Sequence, residues 1–261
     1  MRVECEMKFE EVTEIPGAHI TRDQLCRMFT RYKWTADLCK NCDVLEVACG
    51  AGQGLGLIGG QARSVHAGDL NENILRLAKA HYGDRFSLKQ FDAQSLPYED
   101  DTFDVVVIHE ALYYIPNASI FLSETCRILR AGGRILLSNT NKDLYDFNPS
   151  PFHTQYHGVV ELKELLTTFN FNVDFWGAQQ VNNVSQRLRL FRLLKSVAVK
   201  LHMIPKTMKG KKFLKRVMFG KLLSMPAELS LGMAQAEELT ILQPDIPCQS
   251  HQIIFCEGTL S

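Results

Sequence analysis

The stretch "VLEVACGAGQGLGLIGG", residues 44–60, sets an acid, Glu46, in a short apolar run and follows it with glycines at 50, 52, 54, 56, 59 and 60. Glycines directly after a strand let a ligand's polar atoms lie against bare backbone. Two registers compete for that role. Gly54, Gly56 and Gly59 spell G-x-G-x-x-G, the pattern that seats a dinucleotide pyrophosphate on a helix N-terminus. Its first glycine must turn the chain straight off the strand, yet Gly54 comes six residues after Ala48. The ribose-binding acid should follow about 20 residues later. Asp69 lies 15 residues past Gly54 and 19 past Gly50. The spacing therefore favours a loop running from Ala48 through Gly50 and Gly52, with Asp69 as its acid. An NAD-dependent oxidoreductase is the weaker alternative.

Further groups suited to chemistry cluster after two later apolar runs. "HEALYY" supplies His109, Glu110, Tyr113 and Tyr114, and "SNTNKDLYDFNPSPFHTQYH" supplies Asn139, Asp143, Tyr145, His153, Tyr156 and His157. A histidine is the usual base near neutral pH, so His153 and His157 lead, with His109 and Tyr113 behind them. The bland reading of each is a loop or wall residue.

Positioning these groups requires a sheet. "DVLEVA", "SVHAGDL", "RFSLKQFDA", "FDVVVIHEAL", "GRILLSNTN", "FNVDFWGAQQ" and "SHQIIFCEG" read as seven strands. Helices alternate with them: 21–40, capped by Thr21 with Leu25, Met28, Phe29 and Tyr32 on one face; "NENILRLAKAHYG", closed by Gly83; 117–130, ended by "AGG"; and "GVVELKELLTTFN". This alternation predicts an open, mostly parallel α/β sheet with helices on both faces, ligands binding where the strand order reverses.

The motifs "VLEVACGAG", the acid of "GDL", "FDAQSLPYEDDTFDVVV" and "LRAGGRILLS" occur in the order and spacing of class I S-adenosylmethionine-dependent methyltransferases, which the chain resembles over about residues 40–140. The resemblance implies a Rossmann-like seven-stranded sheet with an antiparallel last strand near 250–257 and a helical insertion between strands six and seven. The domains expected are a lid helix (1–42), a cofactor-binding core (43–181), a basic cap (182–249) and a closing strand (250–261). It implies S-adenosylmethionine as cofactor, with S-adenosylhomocysteine as product, and no metal. Glu46 would brace the loop, Gly50 and Gly52 line the methionine and ribose portion, Asp69 and Leu70 hold the ribose, and Asp92 and Ala93 the adenine edge. The His109 backbone would meet the cofactor's amino group. From the lid helix, Arg31 or Tyr32 could reach its carboxylate, a solvated basic face being the alternative. Ala48 replaces the family's first loop glycine, which is tolerable with φ negative.

Composition is that of an ordinary globular protein: 261 residues, 46% hydrophobic, 22% charged, formal net charge zero. Twelve Lys and Arg with no acid fall in 182–221, leaving 17 basic against 29 acidic residues elsewhere. That segment reads as two helices broken at Pro205, with Leu188, Phe191, Leu194, Val197 and Leu201 on an apolar face. It suits a solvated cap, an anionic acceptor, or peripheral contact with an anionic membrane. A nucleic-acid partner is not expected. Neither a secretion signal nor a spanning segment is visible, so a cytoplasmic location is expected, with the eight cysteines, including Cys39-x-x-Cys42, as free thiols. Further likeness to enzymes found with surface-polysaccharide or specialised-metabolite genes implies a sugar hydroxyl or small-molecule amine as acceptor. A non-catalytic cofactor-binding scaffold is the alternative from another class.

Overall fold

A computed structural model describes residues 14–181 and 222–261. The two helices expected in 182–221 lie outside the described residues. Eight strands form one sheet: β2 (Asp43–Val47), β3 (Ser64–Asp69), β4 (Ser87–Gln90), β5 (Phe103–His109), β6 (Leu129–Thr140), β7 (Phe171–Gln180), β9 (Thr240–Ile241) and β10 (His251–Leu260). Their order is β4-β3-β2-β5-β6-β10-β7-β9. β2 through β6 pair in parallel, whereas β10 runs antiparallel to both β6 and β7. The seven expected strands are all present, and the order reverses between β2 and β5. The two-residue β9 extends the far edge.

The nearly continuous apolar run of β5 explains its central place. Val105 and Val107 join the core on one face, under the helices α1 (Arg22–Leu38), α2 (Leu55–Gly59) and α3 (Glu72–Tyr82). Val106 and Ile108 join the core on the other, under α4 (Ala118–Ile128) and α5 (Val159–Thr168). Thr21 caps α1 with a complete capping box through Gln24, and Asn117 caps α4. The "AGG" at 131–133 does not end the helix as a separate turn. β6 begins at Leu129, and the segment forms an irregularity where the β5 pairing skips from Leu129 to Arg134.

Before α1, β1 (His19–Ile20) pairs antiparallel with β8 (Leu223–Ser224). The backbone bonds from Gly17 N to Met225 O and from Met225 N to Ala18 O, both 2.8 Å, continue this clasp. The segment leading into α1 is thus tied to the chain just after the basic segment. Residues 222–249 contain β8, β9 and loops.

The glycines of the rejected fingerprint serve close packing. A Cβ at Gly54 would fall inside the Tyr32 ring of α1, one at Gly56 would overlap the Glu228 side chain, and one at Gly59 would come within 2.5 Å of the Phe86 ring. These three positions bring α1, the strap that carries Glu228 and the turn beyond α3 down onto α2.

Candidate active site

A cavity of about 360 Å³ opens at the carboxyl ends of β2, β3 and β5, beneath α1. Small-ligand sites span roughly 300–1,000 Å³. Its lining includes Arg31, Ala48, Gly50, Asp69, Leu70, Asp92, Ala93, His109 and Tyr113, all expected from the sequence. Glu46 and Gly52 stand behind the lining, and His153 and His157 lie away from it.

The loop after β2 turns through three residues with positive φ: Ala48 at 57°, Gly50 at 57° and Gly52 at 76°. The expectation of negative φ at Ala48 is therefore corrected. A left-handed conformation costs a non-glycine residue roughly 1–2 kcal/mol. Backbone bonds hold it in place: Cys49 N donates to Gly68 O (3.0 Å), and Gly50 N donates to Asp69 Oδ2 (2.9 Å). Gly52 is a turning residue, not a lining one. Its N–H donates to Cys49 O, and its carbonyl accepts from Tyr82 Oη at 2.8 Å.

Glu46, expected to brace the loop, bonds α1 and no atom of the loop. It is buried, and its Oε1 accepts from Tyr32 Oη at 2.7 Å while Oε2 has no partner. Burial pushes its pKa up to about 7, against the opposing hydrogen bond from Tyr32 and the charge of Arg31. Asp69 is also raised by burial, although its carboxylate accepts from the Gly50 and Asn71 N–H groups. On the β4 side, Asp92 Oδ1 accepts from Gln94 N at 2.9 Å.

His109 cannot act as a base through its ring. Thr35 Oγ1 spends its proton on Arg31 O (3.0 Å) and accepts from His109 Nε2 (2.8 Å), so Nδ1 accepts from Ser138 Oγ (3.0 Å). This chain of bonds assigns a neutral tautomer with both nitrogens engaged. Burial, helped by Arg31, holds the pKa well below the ordinary histidine value. Nor are the two loop histidines in position. His153 is exposed, its Nδ1 2.6 Å from Ser150 O, and His157 is buried at the approach to α5. The loop after β6 carries both off the cavity edge.

The acid beside them is in position. Glu110 lines the cavity at φ 51°, immediately past β5. Its Oε2 accepts from Thr140 Oγ1 (2.7 Å) and Tyr113 Oη (3.0 Å), while Oε1 is buried without a partner. Burial raises its pKa, opposed by Arg31. An acid closing an apolar strand at the ligand end of a sheet is a legible signal, and the preference for histidine obscured it. Tyr113 is a hydroxyl donor, its pKa pushed far up by burial and by Glu110.

Glu14, Thr140 and Glu237 also reach the cavity without any sequence signal. Glu237 arrives from the strap after β8. Its N–H donates to Thr30 Oγ1, and its Oε1 accepts from Gln179 N. The described lining thus holds five carboxylates (Glu14, Asp69, Asp92, Glu110, Glu237) against the guanidiniums of Arg27 and Arg31. An anionic acceptor therefore finds no net positive charge among the described residues. No group of three or more metal-ligating side chains occurs among them either.

Residues 45–137 match the family model described as a methyltransferase domain. The chain is 35% identical over 147 residues to a protein of Mycolicibacterium smegmatis named a probable S-adenosylmethionine-dependent methyltransferase, covering 55% of this chain and 57% of that one. It is 26% identical over 185 residues to a demethylmenaquinone methyltransferase of Halalkalibacterium halodurans, covering 66% and 76%. The solved structure of a SAM-dependent methyltransferase from Archaeoglobus fulgidus shares the fold at TM-score 0.54 and 18% identity, over 92% of this chain and 94% of that one. The chain spans a little over half the length of the first curated relatives it matches. Residues 45–137 thus match a methyltransferase domain, and the sheet order and the loop after β2 have the arrangement typical of the class I S-adenosylmethionine-dependent enzymes.

The cavity suits the family's cofactor. The turn at Ala48–Gly50 presents bare backbone, Asp69, Leu70, Asp92 and Ala93 border one side, and Arg31 contributes a buried, unpartnered Nε. When bound, S-adenosylmethionine would supply a methyl group already activated on a sulfonium, so that holding and aligning an acceptor would fall to the surrounding residues. The surplus of carboxylates complements that positive charge.

Proposed function

We propose that the protein transfers a methyl group from S-adenosylmethionine to a hydroxyl or amine of a small molecule, a sugar or specialised metabolite being the class suggested by its sequence. One observation carries the reading. The loop off β2 and the Asp69 carboxylate are joined at Gly50 N, at the point where the strand order reverses, and together they border a ligand-sized cavity. That position suits a nucleoside better than a pyrophosphate, because no long helix begins directly after the loop. α2 has five residues and starts at Leu55.

Calorimetric titration with S-adenosylhomocysteine tests the reading, followed by radiolabelled methyl transfer to a panel of sugars, phenols and amines. Saturable binding at micromolar levels, not displaced by NADH, is expected. No binding of either adenosyl ligand would sink the proposal, and displacement by NADH would favour an oxidoreductase. Binding with no transfer to any acceptor would favour a scaffold.

A further inference from the structure

The most unusual group in the cavity is a carboxylate oxygen with nothing bound to it. Glu110 Oε2 already accepts two hydroxyl donors, Thr140 and Tyr113, which fix the orientation of the carboxylate. Oε1 has no hydrogen-bond partner and no solvent contact. A buried acceptor left unmade costs roughly 1–3 kcal/mol, more when charged. The backbone adds to the cost, since a glutamate at φ 51° is strained. Glu110 N to Ser138 O, 2.8 Å, secures that conformation. Strain and an unmet acceptor in one cavity-lining residue are a pattern found at functional positions. Arg31 does not satisfy this oxygen: its bond goes to Glu14 at 3.0 Å, and its Nε is itself without a partner.

The surroundings indicate what would meet Oε1. Tyr113 and Tyr114 meet edge to face at 4.6 Å between centroids, and Tyr113 stacks on Tyr156 at 4.2 Å. With Ile115 and Pro116 they give this part of the cavity an aromatic and apolar wall. Such a wall binds the body of an organic acceptor, and the carboxylate in it binds a hydrogen-bond donor. The net negative lining is hostile to an anion.

We propose that Glu110 engages the methyl acceptor, its Oε1 accepting a hydrogen bond from a hydroxyl or amine on a molecule packed against the Tyr113–Tyr114 wall and then taking the proton. The proposal rests on the methyltransferase reading above. With a hydroxyl acceptor, the O–H bond breaks and its proton passes to Oε1. The oxygen's electron pair forms the bond to the methyl carbon, and the pair of the broken S–CH3 bond stays on sulfur as a neutral thioether. With a neutral amine, the nitrogen lone pair forms the new bond and the resulting N–H proton passes to Oε1.

The test is carried out on the full chain saturated with S-adenosylhomocysteine, using three probes of one size: 2-phenylethanol, 2-phenylethylammonium and phenylacetate. Calorimetry measures their binding to the wild type and to Glu110→Gln. The alcohol, the ammonium or both should bind the wild type more tightly than phenylacetate. Glu110→Gln should weaken the donor probes about tenfold and leave the affinity for S-adenosylhomocysteine unchanged. Glu110→Asp withdraws the carboxylate by one methylene and should give the same pattern should the amide variant not fold. Equal binding of phenylacetate, an unchanged donor response in both variants, or no probe binding overturns the proposal. So does loss of S-adenosylhomocysteine binding in Glu110→Gln, since the carboxylate would then serve the cofactor. A wild type that fails to bind S-adenosylhomocysteine defeats the methyltransferase reading itself, which is a separate result.

Discussion

Asp43 and Glu46 lie three residues apart on one strand, and their environments are opposite. Asp43 begins β2 at the base of the sheet, where Arg63 and Arg130 bond both it and Asp104 at 2.7–2.9 Å. The hydrogen bonds from Arg63 lead in holding the Asp43 carboxyl well below its usual range. Asp104 is lowered too, the arginines and the Asp43 N–H outweighing its burial. At the other end of the same strands, Glu46, Asp69 and Glu110 are all raised by burial. Arg31 is the cation that offsets Glu46 and Glu110 there, and its own direct partner is Glu14. One end of the sheet is neutralised by ion pairs within the protein, and the other holds buried carboxyls whose charged form burial disfavours. A positively charged ligand would supply what the upper end lacks, as the proposed function requires, whereas the lower network is complete without one.

The contrast breaks most severely where α1 meets the start of α2. Gly54→Ala would place a methyl inside the Tyr32 ring and push α1 away from α2, taking the Tyr32 hydroxyl off Glu46. Overpacking of this kind is expected to cost about 3 kcal/mol, read as a lower urea midpoint, with weakened binding of S-adenosylhomocysteine. An unchanged midpoint would mean that α1 is not seated on that glycine.

Asp69→Asn tests one of the buried carboxyls without removing volume. The Gly50 and Asn71 N–H groups lose an ionised acceptor, and the ligand loses a negative neighbour. Hydrogen bonds to charged groups contribute about 1.5–3 kcal/mol, so affinity for S-adenosylhomocysteine should fall about thirtyfold. The matching change at the base, Asp104→Asn, should leave that affinity unaltered, and equal losses from both would erase the distinction.

Glu46→Gln sharpens the comparison through pH. A carboxyl raised from 4.5 to about 7 in the fold binds more protons folded than unfolded across that interval. Wild-type stability therefore falls as pH rises from 4.5 towards 7 and then levels off. Between about pH 5.5 and about pH 8 the loss should be on the order of 2 kcal/mol. The glutamine variant should show a flatter profile, measured by melting at each pH. A parallel fall in both proteins would remove Glu46 as the cause.

How far the sequence reached depended on whether the information was local. The strands and their caps were legible because hydrophobic period, Thr21 and Asn117 act within a few residues. Gly50 and Asp69 were legible because spacing along a βαβ unit is fixed by geometry. The purpose of Gly54, Gly56 and Gly59 was hidden, since Tyr32, Glu228 and Phe86 approach them from elsewhere in the chain. The positive φ at Ala48 and Glu110 is set by tertiary hydrogen bonds that no local pattern announces. Glu14 and Glu237 reach the cavity from either side of the core, by way of the β1–β8 clasp and the strap beyond it. His153 and His157 were plausible by residue type alone, and type says nothing about where a loop carries a side chain.

The smallest effect is expected from the paired end. Asp43→Asn removes one carboxylate from a network in which Arg63 and Arg130 retain Asp104. These arginines are open to solvent, so the pairs are screened and contribute little. Because the folded-state pKa of Asp43 is depressed, its contribution is complete above the unfolded value of 3.8 and disappears as pH falls through the folded one. The variant should therefore melt slightly below the wild type near neutral pH, with the gap closing in strong acid and shrinking as salt is raised. Binding of S-adenosylhomocysteine should not change. A gap that persists at high salt would mean that Asp43 acts through its bonds to Ser64 and the Arg63 Nε rather than through charge, making the base of the sheet a hydrogen-bonded structure more than an electrostatic one.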